Sequence, residues 1–301
     1  MKKSPTVIVL LVVLAGLAIP AVQQPAGPAA AVVINAAENM HSRSTSSSDV
    51  VSQALLGDNV RILKKERNAD GEDWYQVETP DTYKGWVVSS ALRFLKPGEK
   101  PYASSGKIFV VTALLANTYR EPDVTKHKPV KVAPISAVLE VVGERDTRWL
   151  EVNLPCGTKV WIQRGDGEVR EAPMVWPRTS CEDMVALSKR FIGLPYFWGG
   201  TSPLGLDCSG FVQLVYKMGG LPILRDADIQ FEGSGLVPVA AGEETAGDLV
   251  FFGKNIGHVG MMINSEEFIN ATVHEKPIVQ ISRLKDAYWQ KIYQGARRPK
   301  Q

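Results

Sequence analysis

Between residues 33 and 172, short apolar runs alternate with turn residues, a pattern that predicts strands rather than helices. Val60-Arg61-Ile62-Leu63, Trp74-Tyr75-Gln76-Val77 and Gly85-Trp86-Val87-Val88 form one set. Leu139-Glu140-Val141-Val142, Trp149-Leu150-Glu151-Val152 and Lys159-Val160-Trp161-Ile162 repeat its order. Trp74 and Trp86 stand twelve residues apart, as do Trp149 and Trp161, and this repeated spacing marks duplicated units. Each unit suits a small barrel of short strands, with boundaries at 33–97 and 101–172 and a Lys-, Pro- and Gly-rich linker between them. As strand residues, the tryptophans are read as core.

The pattern changes after Pro177-Arg178. Met184, Leu187 and Phe191 recur at helical spacing behind Ser180, a capping residue with Asp183 three positions on. Gly193 and Pro195 end that helix, and a glycine-rich turn follows at Tyr196-Phe197-Trp198-Gly199-Gly200. A second helix is predicted over 209–218, closed by Gly219-Gly220. Strands are predicted at 248–252, 258–263, 268–271 and 278–281, with a last one near 292–296. Helices first and an antiparallel sheet after make residues 178–298 an α+β domain behind two all-β barrels.

Ahead of the barrels, Lys2 and Lys3 precede the apolar run from Thr6 to Ile19. Residues 1–31 therefore read as a signal peptide or a retained N-terminal anchor, with Ile19-Pro20-Ala21 and Ala29-Ala30-Ala31 as places to cut. The remainder is expected outside the cytoplasm, periplasmic or extracellular and wall-associated, and at a membrane only through that segment. Lys and Arg number 34 against 32 Asp and Glu, which excludes the broad basic footprint of a nucleic-acid binder. Three cysteines are too few for a disulfide scaffold; Cys156 and Cys181 are either paired or both free, with Cys208 left over. The chain contains no Cys-x-x-Cys pair, and neither a metal nor a cofactor is expected.

Cys208 lies in Asp207-Cys208-Ser209-Gly210, where a glycine-rich loop opens a helix. Free amides and the dipole at a helix start favour thiolate and could also hold an oxyanion. His258 begins a strand in Gly257-His258-Val259-Gly260, and Asn270 lies twelve residues on in the next strand. A hairpin would set the two side by side, so that the Asn270 oxygen accepts from one imidazole nitrogen and the other faces Cys208. The order Cys, His, Asn is that of papain-like peptidases. His274, in a loop before Pro277, is the alternative to Asn270.

Four blocks resemble the signatures of the NlpC-type peptidoglycan cysteine peptidases: 196–200, 206–211, 247–252 and 257–260. The Gly85-Trp86-Val87 strand resembles bacterial Src-homology-3-like barrels; the second unit carries Lys159 where the glycine would stand. The resemblance implies a papain-like domain behind two such barrels and a thiol endopeptidase acting on murein stem peptides or peptidoglycan. The bond implied is that between D-γ-glutamate and the diamino acid. It implies Cys208 as nucleophile, His258 as base and Asn270, often histidine in relatives, as the orienting group. Arg225-Asp226-Ala227-Asp228-Ile229-Gln230 resembles a block whose aspartate, in the barrel-bearing subgroup, binds the free amine of the first stem residue. That role would fall to Asp226, with Tyr83 of the first barrel closing the pocket and Tyr196, Asp207 and Ser209 lining the cleft. Ala227 stands where the subgroup often has serine. A cysteine-dependent amidase or acyltransferase, and a non-catalytic wall-binding protein, are the competing functions.

Overall fold

The computed structural model describes residues 29–300. Residues 1–28 of the expected export segment lie outside the described residues. Its end, however, meets the fold: Ala30–Val33 is a strand whose Ala31, Val32 and Val33 are fully buried. A cut after Ala31 would fall inside this strand, and the first barrel reaches back to Ala30, three residues before the expected boundary. Among the described residues no helix is long and apolar enough to cross a membrane.

Two seven-stranded antiparallel sheets come first. In spatial order the first runs Val50–Leu55, Ala37–His41, Lys84–Val88, Asp73–Glu78, Asn59–Arg67, Ala30–Val33 and Leu92–Phe94. The second runs Lys131–Pro134, Leu115–Tyr119, Lys159–Gln163, Trp149–Asn153, Val138–Glu144, Lys107–Val111 and Gly167–Glu171. Numbered within each sheet along the chain, both orders read 3-2-6-5-4-1-7. The register repeats as well: Gln76 faces Trp86 in one, and Glu151 faces Trp161 in the other. Trp74, Trp86 and Trp149 are buried, while Trp161 keeps partial exposure. Trp74 meets His41 edge-on, and Trp149 meets Tyr119 in the same way. The tryptophan spacing therefore reports two copies of one Src-homology-3-like topology.

The C-terminal domain is α+β and papain-like. Helix α1 (Cys181–Lys189) starts on a full capping box, with the Ser180 hydroxyl taking the Asp183 amide and Asp183 reaching back to the Ser180 amide. Helix α2 (Cys208–Met218) is buried from Cys208 to Tyr216. Two short helices were not foreseen, α3 (Ala227–Gly233) and α4 (Ala287–Ile292). The antiparallel sheet has six strands in the order Val237–Val239, Tyr293–Arg298, Leu249–Phe252, His258–Met262, Glu267–Thr272 and Ile278–Arg283. The core between α2 and this sheet takes in Phe191, Phe211, Val215, Phe251, Met261 and Ile269. Burying each large apolar side chain contributes about 1.5–3 kcal/mol. Ile135 of the second barrel joins the same core, so that barrel packs directly on the catalytic domain.

The first barrel reaches the start of α2. Gln53 Oε1 accepts the Thr201 amide at 3.0 Å, and the Ser52 hydroxyl accepts from Arg225 at 3.1 Å. Gly199 sits against Val50 at φ +79°, a left-handed backbone that glycine adopts freely, and a Cβ there would come within 2.7 Å of Val50.

Candidate active site

The site is organised around Asp207, which occupies the N-cap of α2. Its Oδ1 accepts the Gly210 amide at 2.7 Å, and its Oδ2 accepts the Gly199 amide at 3.0 Å. Arg225, 1% exposed, adds a bidentate pair at 3.0 and 2.7 Å. Ser209 Oγ accepts from Arg225 at 2.8 Å and donates to Asp207 at 3.3 Å. Gly210 permits this closure, because a Cβ there would lie 2.2 Å from the Gly200 carbonyl oxygen. Asp207 and Ser209 were expected to contact substrate. Both are buried with their oxygens committed inward, so their work is to hold the start of α2.

Cys208 follows, in the first turn, where helix geometry leaves amides without carbonyl partners. Cys208 is 7% exposed, and the backbone amides of Ser209 and Val259 favour its ionised form. Contact with Val259 places it at the start of the strand that carries His258. Burial, reinforced by the Asp207 charge and opposed by those amides and Arg225, pushes the thiol up to about 12. This shift runs opposite to the thiolate expected from the helix start: desolvation favours the neutral thiol.

His258 and Asn270 are side by side, with Nε2 and Oδ1 3.0 Å apart. The Asn270 amide nitrogen donates to the Gln280 carbonyl and to Ser282 Oγ, each at 3.2 Å, which turns its oxygen toward the ring. Nε2 therefore carries the proton, and Nδ1 presents a lone pair. Trp289 stacks on the imidazole with centroids 5.2 Å apart, and Phe252 lies at 5.9 Å. This burial pushes the imidazole down to about 4, against the raising effect of Asn270. At neutral pH the pair is thus thiol and neutral imidazole. His274 is elsewhere, stacked on Tyr288 at 3.7 Å, with its backbone near Gln280.

Asp226 and Tyr83, 143 residues apart, are brought together: the Tyr83 hydroxyl donates to Asp226 Oδ2 at 3.0 Å. Asp226 sits at the N-cap position of α3 but makes no capping bond, which leaves its second oxygen free of protein donors. Burial raises its pKa, and Arg225 and Tyr83 work against that rise. Tyr83 is held well above the usual phenol range, by burial first and then by Asp226, and stays a donor. Arg225 joins the two clusters: it pairs with Asp207, the N-cap next to Cys208, and its charge also acts on Asp226, the following residue. Tyr196 is half-buried at its edge, its hydroxyl kept protonated by burial and by the nearness of Cys208 and Asp207.

Sequence reasoning assigned no role to Arg225 or Trp289. For Arg225 a signal existed: an arginine directly after the apolar run Leu221-Pro222-Ile223-Leu224, and the helix-capping Asp207, each need a partner once buried. Trp289 lies on a helix too short to show a period. Cys156 and Cys181 are both free and exposed, so no disulfide forms between them. Among the described residues no group of three His, Cys, Asp or Glu is placed to hold a metal.

A thiol at a helix start, an imidazole opening the facing strand and a carboxamide on the next strand define a papain-like cysteine peptidase. Residues 193–298 match the NlpC/P60 family and residues 35–93 match the bacterial SH3 domain. The chain belongs to the NlpC/P60 family of cysteine peptidases, hydrolases of peptidoglycan peptides. It is 32% identical to the gamma-D-glutamyl-L-lysine dipeptidyl-peptidase of Bacillus cereus, over 84% of this chain and 76% of that one. Dipeptidyl-peptidase 6 of Lysinibacillus sphaericus is 26% identical, over 81% and 88%. The crystal structure of an NlpC/P60 family protein from Bacillus cereus ATCC 10987 superposes with a TM-score of 0.76 at 26% identity, covering 89% of this chain and 99% of that one.

Proposed function

We propose that the chain hydrolyses the γ-D-glutamyl–diamino acid bond of cell-wall stem peptides that begin with a free L-alanine, outside the cytoplasm. The Tyr83–Asp226 bond, closed across two domains, carries this reading. A half-buried carboxylate is costly to desolvate unless a cation joins it. A protonated α-amine supplies that cation and donates to the free oxygen. The name of the Bacillus cereus relative, a dipeptidyl-peptidase, fits a pocket that ends at the second residue.

Cys208 Sγ attacks the γ-carbonyl carbon while its proton passes to His258 Nδ1. The oxyanion faces the Cys208 amide at the start of α2, from which no group among the described residues accepts. The imidazolium returns the proton to the leaving α-amine of the diamino acid as the C–N bond breaks, which leaves a thioester. Water, deprotonated by Nδ1, then releases the dipeptide acid and restores the thiol. Asn270 keeps Nδ1 aimed at the sulfur. Its replacement by alanine is expected to lower kcat about 10–100-fold, with Asn270→His retaining substantial activity because an imidazole also accepts from Nε2–H. A larger loss from His274→Ala would reassign the orienting role.

The test of specificity compares L-alanyl-γ-D-glutamyl-L-lysine with its N-acetylated form. An amide-linked first residue loses the ion pair and brings bulk toward Tyr83. The free peptide is expected to be preferred roughly 30-fold or more in kcat/KM, with Asp226→Ala removing most of the preference. Equal rates on the two peptides would show that the enzyme trims intact wall instead.

A further inference from the structure

The amine pocket is built across a domain boundary that is not packed shut. A cavity of about 310 Å³ opens between Leu55, Pro80 and Asp81 of the first barrel and Leu214, Pro222 and Ile223 of the catalytic domain. Apolar contact therefore does not press the Thr79–Tyr83 turn against α2. Gln53 bonds the Thr201 amide on one side of this cavity, and at the Thr79–Tyr83 turn a single α2 side chain spans the gap. Gln213 on α2, 9% exposed, donates from Nε2 to Asp81 Oδ2 at 3.0 Å and to the Ile223 carbonyl at 3.2 Å. The first bond ends two residues before Tyr83, and the second ends three residues before Asp226.

Asp81 passes this hold along its turn. Its Oδ1 accepts from the Thr79 hydroxyl and from the Tyr83 amide, and the Thr79 hydroxyl also reaches the Tyr83 carbonyl at 3.1 Å. Thr82 within the turn has φ +70°, a left-handed backbone that a β-branched residue adopts only when its surroundings impose it.

We propose that Gln213 is a positioning residue for substrate selection. It fixes Tyr83 against Asp226, and so sets the preference for a free amine, without touching substrate or thiol. This rests on the reading of Asp226 as the amine site. The bonds from Arg225 to Ser52 and from Thr201 to Gln53 lie on another strand of the barrel and keep the domains docked when Gln213 is changed.

Kinetics of the full chain on the free and N-acetylated tripeptides test the proposal. Gln213→Leu is expected to cut the free-over-acetylated ratio about tenfold, the scale of one lost hydrogen bond to a charged acceptor. The loss falls on KM for the free peptide. Turnover of the acetylated peptide and alkylation of Cys208 stay unchanged. Gln213→Glu sets a carboxylate against Asp81 and lowers the ratio further. Adding Asp81→Asn to it restores a donor–acceptor pair with roles reversed, and part of the ratio returns. That rescue decides the matter even where Gln213→Leu folds poorly. A Gln213→Leu protein with the wild-type ratio, an equal loss on both peptides, or a double variant no better than Gln213→Glu would overturn the proposal. A wild-type ratio near one would instead overturn the amine site itself, and Gln213 with it.

Discussion

Cys208→Ala is expected to end peptide hydrolysis, a loss on the order of 10⁶-fold in kcat, while Cys156→Ser keeps a turnover number close to wild type. The two thiols differ in setting. Cys156 is exposed on the second barrel, whereas Cys208 is buried at the start of α2, near Val259 of the strand that His258 opens. Burial sets how Cys208 reacts before substrate arrives. With the thiol pushed up to about 12 and the imidazole down to about 4, no proton moves between them at neutral pH. Both groups then titrate outside the range from pH 5 to 9, and the thiolate fraction grows about tenfold per pH unit across it. Alkylation of Cys208 by iodoacetamide, followed by mass analysis of the peptide so that Cys156 and Cys181 do not interfere, is expected to climb with that slope. A stored thiolate–imidazolium pair would give a flat profile over the same range. Such a plateau would contradict the neutral resting pair, and hydrolysis surviving in Cys208→Ala would remove the nucleophile.

That neutral pair shows where the sequence stops being informative. A helix start is written in Asp207-Cys208-Ser209-Gly210, and its dipole follows from backbone geometry. How deeply the sulfur sits depends on the packing of α2 against the strand that begins at His258, and no local pattern encodes that. The same limit explains Asp207 and Ser209. Short polar side chains beside a nucleophile can face cleft or core, and only the arrival of Arg225, eighteen residues on, turns them inward. By contrast, the strands at 249–252, 258–262 and 267–272 follow their apolar runs closely, because Gly247-Asp248 and Gly253 bound the first, Gly257 and Asn264 the second, and Glu266-Glu267 opens the third. The His258–Asn270 contact needs only one hairpin and was legible from spacing. Tyr83 and Asp226 come from different domains; family resemblance suggested them, and periodicity had nothing to say. Helices α3 and α4, seven and six residues long, are too short for a helical period and are held by contacts such as those of Gln230 and Trp289.

Arg225→Met is expected to destabilise the catalytic domain by about 3–5 kcal/mol, the cost of leaving one member of a buried ion pair without its partner. The guanidinium makes four hydrogen bonds in the structure: two to Asp207, one to Ser209 and one to Ser52. Its removal exposes no surface that water can reach, since Asp207 and Ser209 are 7% and 6% exposed. The Asp207 carboxylate keeps the Gly199 and Gly210 amides, which satisfy hydrogen bonding but bring no full positive charge. Melting should therefore fall by roughly 10 °C, on the scale of 2–4 °C per kcal/mol for a protein of this size. Arg225→Lys recovers little, because one ammonium cannot meet two carboxylate oxygens and two hydroxyls in a plane. Adding Asp207→Asn to Arg225→Met removes the stranded charge and keeps an oxygen to cap α2, so the double variant should melt above the single one. A single Arg225→Met protein as stable as wild type would mean that the ion pair carries no stability. A double variant no better than the single would place the loss in packing around the arginine stem. Activity reads the same network from the other side: with Asp207 released, the first turn of α2 loses its anchor, and the Cys208 amide no longer holds a fixed oxyanion position. In the double variant, then, stability is expected to return further than kcat does, because the bidentate fork that aligned Asp207 and Ser209 under Cys208 is gone.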